Sequence, residues 1–256
     1  MYWHDEGYLL SKNNFDENSI IIDVFTLNHG KYNGIVYGGS SRKKKKIIQI
    51  GNKFLLNWKT KNENRIGYFD VELINPVAPL FFDDKKRSIC ILAATSILKT
   101  LLPERQINKK IYATFDYLLK NLELNNWIFL YISWELSLIK ELGFELNFDR
   151  SKFLINNNFL ELNGKNFKVP NFLFNQKKAI KLSRNEIKEA LIFNKNIFLE
   201  NFITPNRLRF PLSRNLLEKY FWQKNENYTS LFWKFVCNFI SKISHNTTCA
   251  SSFKRN

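Results

Sequence analysis

The sequence predicts an α+β protein in two parts: a five-stranded, OB-type β-barrel over residues 1–77 and a mainly α-helical domain over 78–243, with a tail at 244–256. Three observations carry this reading. As far as Leu73, short β-rich runs alternate with Asn, Asp, Gly and Lys punctuation. At Asn75-Pro76-Val77-Ala78-Pro79 two prolines interrupt the pattern. Beyond them the apolar residues recur at helical spacing.

The predicted strands are Gly7 to Ser11, Ile20 to Thr26, Tyr32 to Tyr37, Ile47 to Ile50 continuing through Phe54 to Trp58, and Ile66 to Leu73. Asn28-His29-Gly30-Lys31 reads as the turn between the second and third, with Gly30 placed to take a positive φ. Five short antiparallel strands lose their edges most economically by closing into a small barrel. The oligonucleotide-binding (OB) barrel has this strand count, and an SH3-like barrel fits almost as well.

In the second part, Ser88 to Leu102 is a helix ended by Pro103, and Ile111 to Leu122 and Trp127 to Leu142 are further helices, the latter stopping at Gly143. Phe144 to Phe174 is irregular, with Asn163-Gly164-Lys165 as a turn. Helical spacing returns at Arg184 to Phe193, where Ser183 precedes a first turn holding Glu186, then at Asn196 to Ile203, Ser213 to Phe221 and Tyr228 to Ile243.

Charge sets the class of partner. With 39 Lys+Arg against 23 Asp+Glu the chain carries +16, while its 24 Phe supply ample core material, so this is a folded cationic protein and not a basic tail. The surplus is concentrated. Residues 42 to 65 hold Arg42, Lys43, Lys44, Lys45, Lys46, Lys53, Lys59, Lys61 and Arg65 against Glu63 alone. Five of these cations follow Tyr37-Gly38-Gly39-Ser40-Ser41, which reads as a mobile loop awaiting a polyanion. Trp58 and Tyr68 fall in or beside the stretch: Trp58 reads first as a barrel-core ring and second as a base-stacking one. Further basic stretches run from Arg150 to Arg184 and over Arg207, Arg209 and Arg214.

Other chemistries lack their residues. No GxxxxGK[ST] phosphate cradle occurs, and His4, His29 and His245 are too dispersed for a metal pair. Acid pairs such as Asp5-Glu6, Asp16-Glu17 and Asp83-Asp84 read as solvated loops rather than magnesium ligands of a nuclease. Cys90, Cys237 and Cys249 are odd in number and form no CxxC, as expected of reduced thiols in an intracellular protein. The first residues lack the basic and apolar regions of a signal peptide, and no apolar run suits a membrane span. The chain therefore reads as a non-enzymatic binder without metal or cofactor, and nothing demands more than a monomer.

Several segments in register resemble one family. They are Glu6-Gly7-Tyr8-Leu9-Leu10-Ser11, Val24-Phe25-Thr26, His29-Gly30-Lys31, Tyr37-Gly38-Gly39-Ser40-Ser41-Arg42, Gln49-Ile50-Gly51-Asn52, Leu101-Leu102-Pro103-Glu104-Arg105, Trp134-Glu135-Leu136-Ser137-Leu138 and Phe210-Pro211-Leu212-Ser213-Arg214. Over residues 3 to 220 they are similar to bacterial RecO proteins, notably alphaproteobacterial ones. The resemblance implies an OB barrel and helical domain that bind single- and double-stranded DNA and anneal complementary strands. It also implies partnership with RecR and with the acidic C-terminal tail of the single-strand-binding protein SSB, in loading RecA at gaps in a bacterial nucleoid. The DNA-binding candidates are then the nine cations of residues 42 to 65. A pocket for the SSB tail would draw on Arg105, Lys109, Trp134, Leu138, Lys140, Arg209 and Arg214.

Two departures limit the carry-over. The four-cysteine zinc module of some relatives has no cysteine here at Asp149-Arg150-Ser151 or Asn156-Asn157-Asn158, so zinc is not implied. Ile132 and Ser133 stand where relatives place a basic residue beside the SSB tail. Alternative readings are an RNA- or tRNA-binding OB module and an adaptor that receives acidic protein tails without nucleic acid.

Overall fold

Strand β1 (Tyr2–Asn14) is long enough to serve two neighbours. Its first half pairs with β4 (Lys53–Lys59) and its second half with β2 (Ile20–Thr26), both antiparallel. A register shift between Leu9 and Ser11 lies within the β2-paired half. In a computed structural model that describes residues 1–62, 66–144, 159–174 and 182–222, β2 continues into β3 (Gly30–Val36), and β5 (Gly67–Asn75) pairs antiparallel with β4. The ring β1-β2-β3-β5-β4 closes through a short parallel contact in which Gly34 faces Gly67 and Ile35 faces Tyr68.

Small residues permit that closure. A Cβ on Gly67 would lie 2.3 Å from Trp58 Cε2, and one on Gly34 would lie 2.5 Å from Phe69 Cδ2. Trp58 and Phe69 thus fill the space that the two glycines leave, together with Leu9, Ile20, Ile22, Val24, Val36, Ile48, Phe54 and Leu56. Trp58 is 3% exposed, as its reading as a core ring required. Gly30 has φ of 76° in the turn between β2 and β3, as expected.

The polybasic segment departs from expectation. Arg42–Ile47 is a helix, α1, and not a mobile loop, and Ile47 to Ile50 are not strand. Ser41 caps it by accepting from Lys44 N at 3.3 Å, and Lys and Arg are good helix formers. Lys44, Lys45 and Lys46 lie in the last turn, where the helix dipole favours cations, and Ile48 seats the C-terminal end in the barrel core. These terms offset the repulsion that argued for disorder.

Helices α2 (Val77–Leu80), α3 (Lys85–Leu101), α4 (Lys109–Lys120) and α5 (Trp127–Glu141) follow. Asp84 caps α3 by accepting from Lys86 N and Arg87 N, and Asn108 caps α4. The chain leaves α5 through Gly143 at φ 96°. A hairpin, β6 (Phe159–Leu162) and β7 (Lys165–Lys168), turns at Asn163-Gly164 with both φ angles positive, in the stretch read as irregular. Helix α6 (Arg184–Phe198) begins in a Ser183–Glu186 capping box. It runs through Asn196 without the expected break, into a π-helical turn at Leu199–Ile203. Helix α7 (Leu212–Trp222) closes the described structure. The predicted helix over 228–243 and the tail lie outside the described residues.

The barrel and the helices share a core. Tyr8, Leu10 and Phe25, on the outside of β1 and β2, pack with Ile111, Tyr112 and Phe115 in the cluster that also holds the buried faces of α3 to α7. Lys53 Nζ crosses this seam, 2.8 Å from Glu6 Oε1 and 3.3 Å from Asp116 Oδ1, while the Tyr8 hydroxyl donates to Asp116 Oδ1 at 2.7 Å.

Candidate nucleic-acid interface

The cations singled out from sequence divide into three groups. On α1, Arg42, Lys43 and Lys46 are exposed and Lys44 and Lys45 half-buried. Lys44 Nζ donates to Tyr37 O at 3.0 Å, which ties the helix to the end of β3. Lys12 Nζ donates to Ile48 O at 2.6 Å, at the C-terminal end of α1. Burial, and then the neighbouring charge of Lys45, push the Lys12 amine down to about 8. Positive potential is therefore dense here.

Lys59 and Lys61, the second group, are exposed at the far end of β4. They approach α1 through aromatic rings. Lys59 is the register partner of Tyr68, and Tyr68 stacks on Tyr37 with centroids 5.0 Å apart. Thus Lys44, Tyr37, Tyr68 and Lys59 form one continuous surface, which sequence left open. Arg65 lies outside the described residues.

Lys53 is the third case and a correction. It is buried at the opposite end of β4, about 20 Å from Lys59 at the usual rise of a strand, between the rings of Tyr8 and Tyr112 and against two carboxylates. It holds barrel to helices and is not available to a phosphate backbone. The two neutralising acids, Glu6 and Asp116, are remote in sequence from the basic stretch.

The second candidate set fares differently. Trp134 and Leu138 are buried in the helical core, and Arg214 is fully buried against Glu135. Burial acts to lower the Arg214 pKa, but the Glu135 carboxylate outweighs it and holds the guanidinium charged. These three cannot line an open pocket without unpacking the core. Helix α5 is apolar on most of its circumference because α4 and α6 flank it, so a motif there reads as surface only if that packing is ignored. Arg105, Lys109, Lys140 and Arg209 are exposed, with the Arg105 guanidinium 5.6 Å from the Tyr32 ring centre. Of the Arg150 to Arg184 stretch, Lys165 and Lys168 are paired with Glu200 and Glu189. Among the described residues, no group of three or more His, Cys, Asp or Glu could hold a metal ion. No helix among them is long and apolar enough to cross a membrane.

Sequence reasoning missed Lys12, Tyr2 and Tyr37. Tyr2 begins β1 and Tyr37 follows β3, and only the β1–β4–β5 register and the Tyr37–Tyr68 stack bring them to one surface.

The architecture is a closed five-stranded sheet that bears a basic helix and is backed by a helical core. Residues 1–77 match the family model described as Recombination protein O N terminal, and residues 83–153 match that described as Recombination protein O C terminal. The chain belongs to the RecO family. It is 37% identical over 147 residues to the DNA repair protein RecO of Roseobacter denitrificans, covering 57% of this chain and 61% of that one. With the DNA repair protein RecO of Hyphomonas neptunium it shares 37% identity over 152 residues, 58% of this chain and 63% of the other. For the protein of the same name from a Wolbachia strain the identity is 33% over 152 residues, 59% and 62% of the two chains. The chain thus spans about three fifths of the length of the curated relatives it matches.

Proposed function

We propose that this chain is a non-enzymatic DNA-binding protein that anneals complementary strands and mediates recombination in DNA repair. The observation that carries the reading is the basic helix α1, fixed by Ser41, Tyr37 and Ile48 to a small barrel in a protein whose relatives are named DNA repair protein RecO. The ring order β1-β2-β3-β5-β4, with a helix between β3 and β4, supports an OB-type barrel over residues 1–77 as the DNA-binding part, ahead of a helical part over 78–243.

Annealing makes no covalent bond. Two phosphate backbones must approach, and an array of cations held on a rigid helix lowers their mutual repulsion. Lys43 to Lys46 on α1 supply that array, with Lys59 and Lys61 exposed at the end of β4. By family analogy the partners are SSB, through its acidic tail, and RecR, with RecA loading at single-strand gaps in the bacterial nucleoid as the outcome. Of the cations proposed for an acidic tail, Arg105, Lys109, Lys140 and Arg209 are exposed, whereas Arg214 is buried in the core.

A strand-annealing assay tests the reading. Complementary strands, naked and SSB-coated, are mixed with and without the chain. Acceleration on both supports it; annealing no faster than the spontaneous rate on naked strands overturns it. Preference for RNA over matched DNA would transfer the site to RNA.

A further inference from the structure

Two exposed tyrosines of the barrel, Tyr2 and Tyr68, fall on one row. Tyr2 is the register partner of Lys59 across β1 and β4, and Lys59 that of Tyr68 across β4 and β5. Residues directly opposed in antiparallel ladders project from the same face. The adjacent row, Trp3, Trp58 and Phe69, points into the barrel, so Tyr2, Lys59 and Tyr68 point out. Tyr2 is 59% exposed and Tyr68 38%.

The row extends beyond the sheet. Tyr37, 57% exposed, stacks on Tyr68 with ring centres 5.0 Å apart and an interplanar angle of 25°. Lys44 then holds the Tyr37 carbonyl. At the other end the Lys59 ammonium sits 5.4 Å from the centre of the Tyr2 ring. The series runs from Tyr2 through Lys59, Tyr68 and Tyr37 to Lys44, three rings with a cation after the first and after the third. With strands about 4.8 Å apart, the three rings span roughly 15 Å, a length suited to a short run of unpaired bases.

Charge limits the site to this end of the barrel. Further along the same outer face stand Asp70 and Glu72, which repel a phosphate backbone, and Asp16 lies near Tyr37. A bound strand is thereby confined between the acids and α1, on the row itself.

We infer that Tyr2, Tyr68 and Tyr37 form a stacking platform for unpaired bases, with Lys59 and Lys44 beside it to meet the phosphates of the same single strand. This rests on the DNA-binding reading above and adds to it. Cations alone hold single and double strands alike, whereas a duplex keeps its bases in its own stack and cannot use the rings. The row therefore makes the surface selective for single strands.

The experiment compares three probes on the full chain: oligo-dT, an abasic oligomer of equal length, and a duplex. The unaltered chain is expected to bind oligo-dT about tenfold more tightly than the abasic oligomer. Tyr37→Ala with Tyr68→Ala is expected to erase that preference while changing duplex binding less than twofold. Tyr117→Ala, at an exposed tyrosine on α4, is expected to alter none of the three. Equal affinity of the unaltered chain for oligo-dT and the abasic oligomer overturns the platform and leaves the DNA reading standing. So does equal weakening of all three probes by the double variant. Failure of the unaltered chain to bind any probe removes the DNA reading, and the platform with it.

Discussion

Arg214 Nη2 donates to Glu135 Oε2 at 3.0 Å, and neither side chain is exposed to solvent. The same guanidinium donates to Leu191 O at 2.8 Å, and Asn194 Nδ2 donates to Glu135 Oε2 at 3.1 Å. The pair therefore links α5, α6 and α7 inside the helical core. A charge taken out of water at such a site depends on its partner. Removing the cation by Arg214→Ala is expected to cost about 3 to 5 kcal/mol in urea unfolding, because Glu135 stays buried and unpaired, whereas Glu135→Ala leaves Arg214 with Glu218, 3.6 Å away, and is expected to cost less. The double replacement Arg214→Met with Glu135→Leu is expected to cost clearly less than the sum of the singles.

Closure of the barrel depends on Gly67 against Trp58. Gly67→Ala places a methyl group within reach of the indole ring, which the packed interior cannot displace freely. A loss of about 1 to 3 kcal/mol is expected, with a change in tryptophan emission as Trp58 shifts. Unchanged stability and emission in this variant would mean that the parallel β3–β5 contact is not tightly closed.

Acid sensitivity follows from three carboxylates. Burial raises the pKa values of Asp5, Asp84 and Asp116, but hydrogen bonds and neighbouring cations outweigh it and hold all three below the usual carboxylate range. For Asp116 the opposing groups are Lys120, Tyr8 and Lys53. A folded-state pKa below the unfolded one gives stability that is present above about pH 4 and is lost as pH falls through the folded value. Thermal scans are expected to show that loss, and Asp116→Asn to show a smaller one.

Lys12 gives the opposite window. Its folded-state pKa of about 8 lies below the unfolded value, so between there and about 10.4 the unfolded chain binds more protons. This group therefore makes stability rise with pH across that interval. In Lys12→Met the rise is expected to shrink; an identical pH profile would place Lys12 in water instead of against Ile48.

Much of the fold was legible because its signals are local. Alternating runs, the Pro76 and Pro79 break, the Ser183–Glu186 cap and the stop at Gly143 each act within a few residues. Helix α1 was not legible. Five like charges argued for disorder, whereas the Ser41 cap and the seating of Ile48 against distant strands decided for helix. The candidate site divided along the same line. Exposure of Arg42, Lys43, Lys59 and Lys61 follows from charge, but Lys53 and Arg214 are neutralised by Asp116 and Glu135, which lie 63 and 79 residues away in sequence. The Tyr2–Lys59–Tyr68 row requires the register of three strands.

Salt dependence tests most directly whether α1 carries a DNA backbone. The slope of log affinity against log salt is measured for the unaltered chain and for a variant with Lys43 to Lys46 replaced by Ala, on matched single-stranded and duplex DNA. Each phosphate contact contributes about 0.7 to the slope on single strands and about 0.9 on duplex, so losing four is expected to flatten it by up to about 3 and 4 respectively. An unchanged slope, with the variant folded, would contradict the account by removing α1 from the interface.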